Sequence, residues 1–308
     1  MRFHILGTGA IASQLRPHHE HWHDFESRKR TIKYERSGKT TLVPDFEATV
    51  AEDIGATSDI DALVVSTKAH HTVDALRPIV PRLKESSTII LLQNGMGTAE
   101  KVIHTLWPKT SPRIMLGVNR HAVHRKAPFE IAHYSGWNDH EALVLGYYPT
   151  SNKQTSSEVE NSFTSIPDLS AAVYPWEEIQ RRMLKKLIIN ASINPVATLL
   201  DAKNGALIYD NPFAESLMRK LCQEATMVFG KDLPGETFES LFDSVCSISR
   251  LAAENVCSTL QDIRAGRLTE VDYINGYICK RGQERGIPTP THQAFVELVH
   301  AKECVLGL

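Results

Sequence analysis

A chain of 308 residues exceeds what one hydrophobic core ordinarily holds, so two domains are expected, and 42% hydrophobic with 23% charged residues is the balance of a globular protein. A net charge of -2 gives no field for wrapping nucleic acid, and no apolar run approaches the roughly 20 residues that span a bilayer. The five cysteines (Cys222, Cys246, Cys257, Cys279, Cys304) lack CxxC spacing, which points to buried thiols in a reducing compartment rather than a disulfide framework or a zinc site.

The chain opens on a short apolar strand, Phe3–Leu6, with no basic flank or cleavage site before it, so a cytoplasmic location is expected. Gly7-Thr8-Gly9-Ala10-Ile11-Ala12 follows, the G-x-G-x-x-[G/A] pattern in its strand-then-turn context. Its glycines allow a tight turn and the close approach of a pyrophosphate to a helix N-terminus. A parallel crossover needs about a dozen residues or more, yet Pro17 arrives five residues after Ala12 and a histidine-rich stretch, 18–23, comes next. Two registers are open: residues 31–35 are the second strand, or Gln14-Leu15-Arg16 is its stub and most of the first crossover is lost. The histidines lack metal-ligand spacing such as HExxH and read as a solvated loop.

Ordinary α/β grammar resumes at 62–67, a buried parallel strand with Lys68 at its C-terminal end, where ligands of such sheets bind. Residues 72–83 predict a helix interrupted by Pro78. Residues 88–92 predict a strand ending in the polar turn Gln93-Asn94-Gly95-Met96-Gly97. Further strands are expected at 114–118 and 141–146, with a surface loop over 150–157. His121 and His124, after the 114–118 strand, read as structural or solvated. Helical patterns then run to the end over Trp176–Leu200, Pro212–Phe229, 237–264, 269–285 and 291–306, placing a domain boundary near residue 172.

Within Trp176–Leu200, Lys186, Asn190 and Asn194 fall at i, i+4, i+8 and so share one helix face among Leu184, Leu187, Ile188, Ile189 and Ile193. Three polar groups in register inside so apolar a run predict the wall of a polar pocket, with Lys186 as proton donor. Pro195 leaves the Ala191 carbonyl without its helical partner, and a kink opening toward a ligand is expected there. Glu270 and Asp272 suit the start of a helix through its dipole.

Taken together, the segments GTGAIA at 7–12, STK at 66–68, QNGMGTAE at 93–100, Lys186-x3-Asn190-x3-Asn194-Pro195 and the run 255–277 resemble the ketopantoate reductase (2-dehydropantoate 2-reductase) family, end to end. The resemblance implies an α/β fold. An N-terminal Rossmann-like parallel sheet (1–172), with its first crossover truncated, is followed by a helical domain (173–308) similar to that of 6-phosphogluconate dehydrogenase. It implies NADPH-dependent reduction of 2-dehydropantoate to D-pantoate on the route to pantothenate and coenzyme A. Lys186 is then the general acid, and Asn190, Asn194, Asn204, Asn255 and Ser258 meet the substrate. Gly7, Thr8, Gly9, Ala10, Ile11, Ala12, Lys68, Asn94, Ala122 and Glu270 fall on the cofactor side. Arg16 takes the place of the basic residue that meets the 2'-phosphate. No metal, membrane or nucleic-acid partner is implied, and a homodimer is compatible with the family. The shortened crossover keeps a second expectation open, an inactive paralogue or truncated isoform acting as a binding or regulatory protein. A reductase of another branched 2-keto acid is a third.

Overall fold

The structure is a computed structural model that describes residues 3–6, 31–44, 59–127, 129–150 and 154–308. The glycine turn Gly7 to Ala12, Arg16 and the histidine-rich stretch lie outside the described residues. Two compact units are formed, one from residues 1–93 and 98–179, the other from 94–97 and 180–308.

The first unit is an α/β unit. Its strands are β1 (Phe3–Leu6), β2 (Ile32–Arg36), β3 (Lys39–Val43), β4 (Ala62–Val65), β5 (Thr88–Leu91), β6 (Arg113–Asn119), β7 (Ala122–Ala127), β8 (Glu130–Ser135), β9 (Leu143–Tyr147) and β10 (Ala171–Val173). A six-stranded sheet has the order β1-β4-β5-β6-β9-β10, with β1, β4, β5 and β6 parallel and β9 antiparallel to β6. β5 is buried along its whole length, as a strand covered on both faces must be. Helices α1 (Thr72–Leu76), α2 (Thr98–Leu106) and α3 (Ser157–Thr164) complete the unit.

Several expectations are corrected here. Residues 32–36 do not fill the second-strand slot beside β1; they lie in a second sheet of order β3-β2-β8-β7. The reason is chemical: β2 carries Lys33, paired with Glu130 at 3.1 Å, and Glu35, paired with Lys126 at 2.8 Å, and such a strand does not suit the doubly covered interior of a parallel sheet. Among the described residues β1 is therefore an edge strand, and Ile5 is 54% exposed on it. The predicted helix over 72–83 is only α1 followed by a 3-10 segment, Arg77–Arg82, because Pro78 and Pro81 offer no N–H. The loop predicted over 150–157 ends in a helix start, where the Ser156 hydroxyl accepts the Val159 N–H.

The second unit is helical: α4 (Trp176–Leu200, which begins in the first unit), α5 (Pro212–Phe229), α6 (Phe238–Leu251), α7 (Ser258–Arg264), α8 (Val271–Glu284) and α9 (Pro290–Val305). The single helix expected over 237–264 is two helices. Between them the chain turns so that the Ala253 and Asn255 carbonyls accept the Gly205 and Asn204 N–H groups at 2.9 and 3.1 Å. One core joins Leu184, Leu187 and Ile188 of α4 with Met218 and Leu221 of α5, Val245 of α6 and Ile274 of α8. Met96, from the turn after β5, is buried in that same core, which is why residues 94–97 belong to the helical unit.

Candidate active site

In the first unit, four parallel strands send their carboxyl ends to one edge of the sheet. Lys68 stands just past β4 with extended backbone (φ -60, ψ 145) and starts a 3-10 turn, Ala69–His71. Its carbonyl accepts the Thr72 hydroxyl at 3.2 Å. The Thr72 oxygen in turn accepts Gln93 Nε2, past β5, at 3.0 Å, and lies 3.0 Å from Thr67 Oγ1. Gln93 Oε1 is then a buried acceptor without a partner among the described residues. Past β6, the His121 N–H donates to Asn119 Oδ1 at 2.9 Å, and Ala122 opens β7. His121 Nε2 faces the Leu169 carbonyl at 2.9 Å and so must donate; its Nδ1 accepts His133 Nε2–H (3.1 Å), and His133 Nδ1 accepts the Tyr34 hydroxyl (2.8 Å). Burial, aided by His121, pushes His133 below the usual histidine value, in keeping with a neutral ring. Of the two readings left open for these histidines, His121 takes the structural one and His124 is exposed.

In the helical unit, α4 carries Lys186, Asn190 and Asn194 on one face. Burial lowers the Lys186 ammonium to about 8, while the carboxylate of Glu270 acts in the opposite direction. Glu270 is only 4% exposed and stands at the N-cap of α8 without a side-chain bond to that helix's free N–H groups. The charge of Glu270 thus acts on Lys186, against the effect of burial there. The Met96 N–H donates to the Tyr273 carbonyl at 2.8 Å, which fixes the turn bearing Asn94 to the first turn of α8.

The remaining predicted contacts converge on the break between α6 and α7. Asn204 is tied by its N–H to the Asn255 carbonyl, and Asn204 Oδ1 is a buried acceptor without a partner among the described residues. Cys257 caps α7, its sulfur accepting the Leu260 N–H at 3.5 Å and its thiol directed at the Asn194 carbonyl at 3.6 Å, which ties the start of α7 to α4. Cys257 is the buried thiol its spacing implied, but its capping bond was not foreseen, and Gln93 was read only as part of a polar turn. Gln93 could have been found, since it directly precedes Asn94 at a strand end. Pro195 does not end α4, and the Ala191 carbonyl it leaves open accepts Asn275 Nδ2 at 2.9 Å. Among the described residues no helix is long and apolar enough to cross a membrane.

Known proteins give the context. The family described as "Ketopantoate reductase PanE/ApbA" matches residues 3–149, and its C-terminal counterpart, "Ketopantoate reductase PanE/ApbA C terminal", matches 178–303. A "Probable 2-dehydropantoate 2-reductase" of Schizosaccharomyces pombe is 31% identical over 270 residues, covering 81% of this chain and 75% of its own. Two solved structures share the fold over the whole of both chains. One is a D-mandelate dehydrogenase with NADH and anilino(oxo)acetate (TM-score 0.81, 20% identity), the other a PanE/ApbA family ketopantoate reductase from Ralstonia eutropha (TM-score 0.79, 22% identity). On its sequence and its fold, this chain belongs to the ketopantoate reductase family.

Proposed function

We infer that the protein is an oxidoreductase that takes a hydride from NADPH to reduce 2-dehydropantoate to D-pantoate, a step toward pantothenate and coenzyme A, with Lys186 as the general acid. The observation that carries this reading is the row Lys186, Asn190 and Asn194 on one face of α4, with the carboxylate of Glu270 acting against burial at Lys186: an ammonium lowered to about 8 is protonated at neutral pH yet gives up its proton readily. When the carbon of a 2-ketone is reduced, negative charge develops on its oxygen, and Lys186 stabilises and protonates it. Such acid catalysis contributes about 10² to 10⁴ in rate. Asn190 and Asn194 would orient the carbonyl and hydroxyl of the substrate. Asn255 and Ser258 would hold its carboxylate, and the buried acceptor Asn204 Oδ1 suits a substrate hydroxyl.

A nicotinamide dinucleotide supplies the hydride when bound. The described residues fit it: the strand ends bearing Lys68, Gln93 and the turn at 120–122 lie on one edge of a parallel sheet, and Gln93 Oε1 there is an acceptor without a partner among the described residues. Asn94 and Glu270 belong to the same cofactor-side proposal, as do Gly7 to Ala12 with the pyrophosphate and Arg16 with the 2'-phosphate. A cytoplasmic homodimer is part of the same reading. Lys186→Ala tests it: kcat with 2-dehydropantoate should fall by orders of magnitude with NADPH binding nearly intact, and unchanged turnover would remove Lys186 from the mechanism. Calorimetric titration with NADPH and NADH in parallel decides the cofactor. A binding protein without turnover is the second reading, favoured by the edge position of β1 among the described residues and by the exposure of Ile5. Micromolar NADPH affinity together with turnover counts against it.

A further inference from the structure

Thr269 and Glu270 lead into α8, whose first turn carries Asp272, and α9 packs along that helix. From the last turns of α9, Glu303 reaches back: it is 2% exposed and its Oε1 accepts the Thr269 N–H at 2.7 Å. The Thr269 hydroxyl accepts the Val271 N–H at 3.3 Å, so both backbone neighbours of Glu270 are anchored. The other oxygen of Glu303 meets His300 Nδ1 at 2.7 Å, and His300 Nε2 meets Asp272 Oδ1 at 2.9 Å. A histidine with a carboxylate oxygen on each ring nitrogen is satisfied at both only as the imidazolium, with two N–H donors.

We propose that His300 and Glu303 are positioning residues for the Lys186–Glu270 pair: the clamp Asp272–His300–Glu303–Thr269 holds the backbone from which Glu270 acts on Lys186. The inference rests on the reading of Lys186 as the acid. Burial works against a charged His300, but the hydrogen bonds to Asp272 and Glu303 outweigh it and hold its pKa above the ordinary value. The sign follows. A raised histidine pKa keeps the clamp closed at low pH and opens it as the pH rises through that value. Opening frees Glu270 from its fixed place, and the Lys186 ammonium, already disfavoured by burial, loses part of its opposing charge. The groups facing His300 are Asp272 and Glu303, and the charged group acting on Lys186 is Glu270.

The test uses the full chain with 13C-ε-labelled lysine, the Lys186 resonance being assigned by its loss in Lys186→Arg. His300 is partly exposed, so His300→Gln removes the cation without emptying the core. In His300→Gln and in Glu303→Gln the Lys186 titration should move to lower pH by roughly half a unit to one unit, a fraction of the one to three units an adjacent opposite charge commands. His300→Lys, which restores a cation between the two carboxylates, should bring it back toward the wild-type position. An unmoved Lys186 titration in both variants, with or without a lower Tm, would overturn the proposal and leave the clamp as a strut. The titration reads the clamp whether or not the chain turns over substrate, so this failure is distinct from a Lys186→Ala variant that keeps its activity.

Discussion

Asn275 and His292 meet at 3.0 Å in the buried centre of the helical unit, and the geometry leaves one assignment for their protons. His292 Nε2 lies 2.9 Å from the Leu221 carbonyl and must donate, so Nδ1 is an acceptor and the Asn275 amide donates to it while also donating to the Ala191 carbonyl. A proton added at Nδ1 has no acceptor there, and Asn275 would have to turn away from the carbonyl that Pro195 left open.

That arrangement predicts an acid limb of stability. Burial pushes His292 down to about 4, against an ordinary value near 6.5, so between those values the unfolded chain binds the extra proton and stability rises with pH. Stability is fully present above about 6.5 and falls as the pH drops toward 4, by at most about 3 kcal/mol from this group. Urea unfolding at pH 7.5 and pH 4.5 reads the difference. His292→Gln should flatten this limb while lowering stability at neutral pH, and an unaltered limb would assign it to other groups.

Gly95 gives a second prediction. Its φ is +80, and a Cβ there would stand 2.4 Å from the Tyr273 carbonyl oxygen. Gly235, also at positive φ (+88), has open space around that position. Gly95→Ala should therefore cost more than Gly235→Ala, about 2 to 4 kcal/mol against about 1, since backbone strain is common to both and collision is confined to the first. Thermal unfolding of the two variants side by side decides it; equal losses would mean that the 94–97 turn yields easily.

What was legible in the sequence was local. The row Lys186, Asn190, Asn194 is a matter of helical period, and α4 and α5 begin and end where the pattern places them. What was not legible depended on partners far along the chain. β2 has the alternation of a strand, but the charges that choose its sheet are answered by Glu130 and Lys126, |i−j| 97 and 91 away. The break at 252–257 is made by backbone pairing with Asn204 and Gly205, and no periodicity announces it. The acceptor freed by Pro195 was readable, whereas the amide that takes it, Asn275, lies 84 residues further on.

Glu270→Gln should alter pH dependence rather than fold. Removing the carboxylate that opposes burial lets the Lys186 ammonium fall further below about 8. Activity requires the protonated lysine, so the alkaline limb of kcat/KM should move to lower pH, by about one unit or more. A variant with a slightly changed Tm and an unmoved limb would return Glu270 to the role of a helix-start charge.

The last prediction compares an edge with an interior of the same sheet. Ile5 on β1 is 54% exposed, and among the described residues β1 pairs with β4 alone, so little apolar area is removed from water at that side chain. Ile90 on β5 is fully buried between β4 and β6. Ile5→Thr should then change stability by no more than about 0.5 kcal/mol, the usual range for a surface site, and should lessen self-association, because an exposed apolar edge is a template for pairing with another chain. Ile90→Ala should cost about 2 to 5 kcal/mol as a core truncation. Urea midpoints give the stabilities, and light scattering at rising concentration gives the association. If Ile5→Thr proves as costly as Ile90→Ala, Ile5 is covered in solution, and the reading of a binding protein without turnover loses its main support.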